Sequence, residues 1–352
     1  MDLKVGKKIC FSLKRPPIII AEVSANHCGS KKKFIDHIKL AHKNGADLVK
    51  IQTYEPQDIT LKTKNKKFKI KAGLWKNKYL WDLYKKAQTP FKWHKEIFKF
   101  AKKNNILCFS APFDISAVDL LESLNCPLYK VASPEIEDLQ LIKKIAKTKK
   151  PIIISTGIAN VENIKKAIKV CIAEKNYNLI LLNCISSYPA KNSELNLSYI
   201  NLLKKYCPLV GYSDHSNSDL ASLTSVSLGA KVIEKHFILN KKIKSPDSSF
   251  SHDPTQLSKL VLSIRRIEKM KGKSEIKPTK SEIKKRNLIH RTIIAKKNIL
   301  PGQKITELNI GLMRSNNNSL GLHPKFYNRI LGKKAKKNIF KYEKIKINKI
   351  IR

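Results

Sequence analysis

The chain has 352 residues, 42% of them hydrophobic, and its 71 Lys and Arg against 27 Asp and Glu give a net charge of +44. That length holds a barrel of roughly 250 residues with a small second domain, and no apolar stretch approaches the roughly 20 residues of a membrane span. The charge does not mark a nucleic-acid binder: only eight of the basic residues are Arg, the Lys are dispersed, and no zinc-finger, RNP or helix-turn-helix pattern accompanies them. Its expected effect is attraction of small anionic substrates. The N-terminus is basic but lacks a long apolar h-region, which predicts a cytoplasmic protein. Seven scattered cysteines with no CxxC argue against a disulfide framework or zinc knuckle.

Eight short apolar runs follow in order, at 18–22, 47–52, 106–110, 128–132, 151–155, 179–184, 209–213 and 231–236. Buried parallel strands read this way. Helical patterns fall between most of them, at 34–44, 93–104, 115–124, 139–148, 159–174, 195–206 and 219–228, and 255–270 reads as a closing helix. The alternation predicts βαβ units closed into a (β/α)8 TIM barrel over residues 1–270. The stretch from Thr53 to Pro90 exceeds an ordinary βα loop and predicts a functional lid. Residues 271–289 are Lys-rich with Pro278 and read as a linker. Residues 290–352 alternate or run apolar at 291–299, 304–306 and 343–347, which predicts a small β-rich domain that needs a surface to pack on.

Chemistry gathers at the ends of the runs. His215 and His236 close two consecutive ones, and two imidazoles at neighbouring strand ends can share a divalent metal. Spacing alone favours the plainer reading of one core histidine and one exposed one. Glu234 shares the parity of His236, and Ser213 that of His215, while Lys235 takes the opposite face towards the helices. Lys50 and Lys130 end apolar runs, where a charge is costly unless it meets a polar cavity. With Ser133, Ser155 and Ser213 they could cradle a small polyanion. Glu22 and Gln52 close runs of their own.

These residues resemble a known family. Ala21-Glu22-Val23-Ser24-Ala25-Asn26-His27-Cys28-Gly29 resembles the opening block of the sialic acid (nonulosonic acid) synthases. Further blocks match in order: Lys50-Ile51-Gln52-Thr53-Tyr54, Phe109-Ser110-Ala111-Pro112-Phe113-Asp114, Tyr129-Lys130-Val131-Ala132-Ser133 and Ile154-Ser155-Thr156-Gly157. Cys184-Ile185-Ser186-Ser187-Tyr188-Pro189, Gly211-Tyr212-Ser213-Asp214-His215, Ile233-Glu234-Lys235-His236-Phe237 and Pro246-Asp247-Ser248-Ser249-Phe250-Ser251 complete the series. The C-terminal piece resembles the antifreeze-like SAF (β-clip) domain of the same family.

The resemblance implies a transferase that condenses phosphoenolpyruvate with an open-chain amino sugar, using a divalent metal, usually Mn2+, with Mg2+ or Co2+ as alternatives. It assigns the metal to His215 and His236 and phosphoenolpyruvate to Lys50, Lys130, Ser133, Ser155 and Ser213, with Ser110 and Ser186 as further substrate-binding residues. Gln52, Tyr188, Asp247 and Arg314 would contact the sugar. Glu22 and Glu234 would transfer protons, in an order left open. A homodimer is implied, with the SAF domain and Arg314 of one subunit covering the barrel of the other. The 271–289 linker does not forbid this, since 15 of its residues span about 50 Å when extended.

Gln52-Thr53-Tyr54-Glu55-Pro56-Gln57-Asp58-Ile59-Thr60 and the segments around Trp75, Trp81 and Trp93 resemble the pseudaminic-type group. That predicts 2,4-diacetamido-2,4,6-trideoxy-L-altrose as the sugar, with neuraminic- or legionaminic-type synthesis as the alternative and a non-catalytic carbohydrate binder as a distant one. Three departures stand out: Ala111 after Ser110, Ser186 where Asn is frequent, and Ser315-Asn316-Asn317-Asn318 after Arg314.

Overall fold

The computed structural model describes residues 2–6, 9–272, 275–315 and 321–351. The chain divides into two compact units, Met1–Gly272 and Lys273–Arg352.

The first unit opens with an antiparallel hairpin, β1 (Asp2–Val5) and β2 (Ile9–Ser12). Leu3, Val5 and Phe11 join the main core, and Gly6 lies beside Leu107 just ahead of a barrel strand. The hairpin therefore closes the N-terminal end of the barrel, a role that the sequence reading had not found.

The barrel strands are β3 (Ile18–Glu22), β4 (Leu48–Thr53), β5 (Cys108–Pro112), β6 (Tyr129–Val131), β7 (Ile152–Ser155), β8 (Leu179–Cys184), β9 (Val210–Asp214) and β10 (Val232–His236). They pair in parallel in chain order, and β10 closes onto β3. Almost every strand residue is buried, as expected of strands covered on both faces. Gly211 lies where β9 passes close to β10: a Cβ there would meet the Val232 carbonyl oxygen at 2.3 Å.

The helices between them are α1 (Lys31–Lys43), α2 (Pro56–Ile59), α3 (Leu80–Ala87), α4 (Phe91–Lys103), α5 (Ile115–Ser123), α6 (Leu139–Lys147), α7 (Val161–Ala173), α8 (Tyr199–Leu203), α9 (Leu220–Ser227) and α10 (Pro254–Lys271). In α6, Leu141, Ile142, Ile145 and Ala146 form the buried stripe, and the Asp138 side chain caps its start by accepting from the Leu141 N–H. The helix expected over 195–206 is shorter. Asn183 on β8 donates to the Leu195 and Asn196 carbonyls and holds that stretch as a turn, so α8 begins only at Tyr199. The long insertion contributes α2 and α3.

The second unit begins with α11 (Lys280–Ile289), capped by the reciprocal bonds of Thr279 and Glu282. The sequence read this stretch as linker because its Lys content masks a good helix-forming composition. β11 (Thr292–Ala295) and β12 (Ile310–Met313) pair antiparallel, and α12 (Tyr327–Ile330) follows. Around Lys304 and Lys344 only single bridges form, not the strands expected there. Ten residues, among them Ile293, Ile305, Ile310, Ile339 and Ile345, make a separate core.

Candidate functional site

The strand-end side chains converge on a cavity of about 400 Å³. Its floor carries Lys50, Gln52, Lys130, Ser133, Ser155, Ser213, Glu234, His215 and His236, with Tyr188 and Asp247 beside them. Its far wall comes largely from the insertion: Ile70, Trp75, Leu80, Leu83, Tyr84 and Ala87. Register explains the convergence. Glu22 pairs with Lys50 and His236, and Glu234 with Ser213, so one side-chain parity brings all five to the same end and face.

Charge is concentrated and internally paired. Lys50 Nζ lies 2.7 Å from Glu234 Oε1 and 3.0 Å from Glu22 Oε2. Ser213 donates to Glu234 at 3.0 Å, and Lys130 donates to Ser155 at 2.6 Å while standing 3.9 Å from Glu234. Burial lifts the Glu22 carboxyl to about 7, and Lys50 only partly offsets this. Burial pushes Glu234 upward too, but Lys130, Lys50 and the Ser213 bond outweigh it and hold the carboxyl at about 2. Burial lowers Lys130 to about 8. Two carboxylates on one lysine are thus driven apart, one titrating near neutrality and the other held ionised.

Gln52 donates to Glu22 at 3.2 Å and to Ser24 at 3.0 Å, and Ser24 donates to Asp247 at 2.5 Å. Asp247 in turn stands 3.7 Å from His236 Nδ1. This polar chain joins Glu22 to the histidine side of the cavity.

The two imidazoles face each other with ring centroids 5.3 Å apart. His215 Nδ1 donates to the Ile185 carbonyl at 2.8 Å; burial pulls this ring down, but Cys184, that carbonyl and Glu234 outweigh it and raise it above the ordinary histidine range. His236 Nδ1 is buried with no hydrogen-bond partner, and burial and His215 hold that ring well below the usual histidine range, in its neutral form. His236 Nδ1 and, once its proton is given up, His215 Nε2 are the ring nitrogens that fit a divalent metal. No group of three or more His, Cys, Asp and Glu with ligand spacing occurs among the described residues.

Most of the expected residues meet here, with four exceptions. Glu22 is fully buried behind Lys50 and Gln52 and does not line the cavity. Ser110 is turned away from it: its hydroxyl bonds Thr53 Oγ1 at 2.6 Å, which bonds His94 of α4. The inward set on β5 is Phe109, Ala111 and, just beyond it, Phe113, because Lys50 and Gln52 pair with Phe109 and Ala111. Ser110 is therefore corrected to a residue of the helix layer. Ser186 sits off the cavity wall near Ser133, as a Cβ on Gly157 would meet both hydroxyls. Arg314 belongs to the second unit and is exposed. The Asn316–Asn318 departure lies outside the described residues.

Of the three tryptophans, Trp75 lines the cavity, donates to the Pro246 carbonyl at 3.1 Å and lies 5.5 Å from Tyr188. Trp93 instead packs on His27 and Phe34 in the helix layer, and Trp81 does not line the cavity. Sequence reasoning missed Ser24, Tyr54, Tyr84, Phe113 and Pro246 on the wall. It also missed Glu135, which burial lifts to about 7 and whose Oε2 has no partner. Spacing could have flagged two of them: Ser24 follows Glu22 by two residues, and Glu135 follows Ser133 by two. All seven cysteines are free. Burial pushes the cavity-lining Cys184 thiol up, but His215, Ser133 and Lys130 outweigh it and bring it to about 7.

A parallel barrel with two lysines, two glutamates and two histidines at its strand ends defines a class, and comparison names it. Residues 37–276 match the NeuB family and residues 290–350 the SAF domain. The chain belongs to the NeuB family. It is 43% identical to the pseudaminic acid synthase of Helicobacter pylori, over 92% of this chain and 94% of that protein. It is 39% identical to the N,N'-diacetyllegionaminic acid synthase of Campylobacter jejuni, over 91% and 96%. The crystal structure of the N-acetylneuraminic acid synthetase of Leptospira borgpetersenii, in complex with citrate, superposes with a TM-score of 0.73 at 30% identity, covering 82% of this chain and 97% of that one. No helix among the described residues is long and apolar enough to cross a membrane.

Proposed function

We propose that this enzyme condenses phosphoenolpyruvate with 2,4-diacetamido-2,4,6-trideoxy-L-altrose and water to give pseudaminic acid and phosphate. It acts in the cytoplasm with a divalent metal, Mn2+ first, Mg2+ or Co2+ as alternatives. The observation that carries this reading is a single cavity with a cationic, hydroxyl-rich floor and an apolar insertion wall. The floor suits phosphate and carboxylate, for which Lys50, Lys130, Ser133, Ser155 and Ser213 supply charge-assisted donors. The wall suits a sugar that carries a C6 methyl and two acetamido methyls where other hexoses carry hydroxyls. Gln52, Tyr188 and Asp247 orient its polar edge.

His215 and His236 would hold the metal, which when bound supplies Lewis-acid polarisation of the sugar aldehyde. C3 of phosphoenolpyruvate attacks the aldehyde carbon, a C–C bond forms, and positive charge develops at C2. Ionised Glu234 stabilises that charge. Water adds at C2, and Glu22, which titrates near neutrality but lies behind Lys50, would receive its proton by way of Lys50, 3.0 Å from it, rather than from the cavity directly. One water proton ends on the new C4 hydroxyl. The C2 centre then expels phosphate with the electrons of the C–O bond, and the second proton leaves with it. A homodimer in which the second unit of one subunit covers the partner barrel would bring Arg314 to the sugar.

The test is kcat/KM for this sugar, for the legionaminic-type diacetamido sugar and for N-acetylmannosamine, with the nine-carbon product identified by mass spectrometry. A ratio above 10 in favour of the L-altro sugar is expected. A ratio favouring either of the others moves the enzyme to that group.

A further inference from the structure

The two histidine-bearing strands also carry a charged pair on their outer faces, away from the reaction. Asp214 and Lys235 are cross-strand partners in the last rung that joins β9 to β10. Both side chains are fully buried, with Lys235 Nζ 3.0 Å from Asp214 Oδ2. Alternation turns them towards the helix layer, opposite to Ser213, Glu234 and His236.

Their bonds enclose His215. β9 ends at Asp214, so His215 stands one residue beyond the regular ladder. The backbone of the next residue, Ser216, is held on both sides. The Ser216 N–H donates to Asp214 Oδ1 at 2.8 Å, and the Ser216 carbonyl accepts from Lys235 Nζ at 2.6 Å. Ser222 of α9 donates to Asp214 Oδ2 at 2.6 Å and fixes that carboxylate. Across the seam, the His236 carbonyl accepts from the His252 N–H at 2.7 Å. An apolar pair would fill the same volume at lower desolvation cost. It could not bond both sides of the Ser216 residue, and His215 would lose its backbone constraint relative to β10.

We propose that Asp214 and Lys235 are positioning residues that set the separation and orientation of His215 and His236 for a divalent metal. The proposal rests on the metal reading above. Groups that bond the ligating rings directly change metal affinity by about 10- to 100-fold, and a pair that acts through the Ser216 backbone is expected at the lower end of that range.

The experiment titrates Mn2+ alone, and separately phosphoenolpyruvate alone, into the full-length enzyme by calorimetry. The paired variant Asp214→Asn/Lys235→Met keeps an acceptor for the Ser216 N–H but removes the ion pair and the bond to the carbonyl. It is expected to bind Mn2+ at least 10-fold more weakly, with phosphoenolpyruvate affinity within about 3-fold of wild type. The lysines of the floor are untouched, so a merely structural pair would not produce that split. Equal Mn2+ affinity in variant and wild type overturns the proposal, as does a proportional loss of both ligands. If the paired variant does not fold, Ser222→Ala decides: a selective Mn2+ loss of about 3-fold supports positioning and no change overturns it. A wild-type enzyme that binds no Mn2+ removes the metal reading itself, and this proposal with it.

Discussion

Glu22 and Glu234 share Lys50, yet their removal should have opposite consequences. Glu234 is held at about 2 against an ordinary 4.5, a difference worth roughly 3 kcal/mol. A depressed carboxyl contributes stability that is present above its unfolded value and lost as pH falls through its folded one. At neutral pH, Glu234→Gln therefore forfeits that contribution and strands Lys130 beside a neutral amide. For a unit of this size the melting temperature should fall on the order of 8 °C. Glu22 runs the other way. Its carboxyl is raised to about 7, so the folded state prefers it neutral, and the stability it contributes is lost as pH rises from 4.5 through about 7. Gln mimics the neutral form, so Glu22→Gln should melt at or above the wild-type temperature at pH 8. Its activity should nevertheless drop by ~10²-fold or more. In wild type, kcat/KM should rise as Glu22 ionises through about 7 and fall as Lys130 discharges through about 8. The acid limb should vanish in Glu22→Gln. The checks are differential scanning fluorimetry and a pH series of initial rates. Glu22→Gln melting below Glu234→Gln, or retaining wild-type kcat with its acid limb, would refute the division of roles.

Two further outcomes are expected. Chelation should abolish turnover and Mn2+ restore it, while a His215→Ala/His236→Ala enzyme should show no Mn2+ heat by calorimetry; full activity in that variant removes the metal assignment. Mixing a His215→Ala enzyme with an Arg314→Ala enzyme should restore activity after subunit exchange, because one site of each heterodimer then joins an intact barrel to an intact arginine. No recovery after verified exchange would mean that Arg314 serves its own barrel or no site.

The site was legible in the sequence wherever one physical rule decided it. Strands buried on both faces leave apolar runs, and a polar residue ending such a run has only the barrel mouth to face, which located Glu22, Lys50, Lys130, Ser155, His215 and His236. Ser110 failed because a fully buried strand has no polar face to announce its parity. Only the register of β5 against β4, with Ala111 beside Gln52, shows that Ser110 points outward. The insertion wall failed for a related reason. Leu80, Leu83 and Ile70 are ordinary core residues by composition, and they become a binding surface only because α3 folds over an opening. The roles of Glu22 and Glu234 were illegible in principle. Both end or nearly end apolar runs, and both touch Lys50. What separates them is a third neighbour: Lys130 reaches within 3.9 Å of Glu234, and Ser213 donates to it, while Glu22 receives only the neutral Gln52 amide beside Lys50. Lys130 comes from β6, far from either glutamate in the chain, and Ser213 from β9, the strand that precedes Glu234. Barrel closure, which sets β10 beside β3, is therefore what brings Glu22 and Glu234 to one lysine, and the neighbours of Glu234 alone are what hold it ionised.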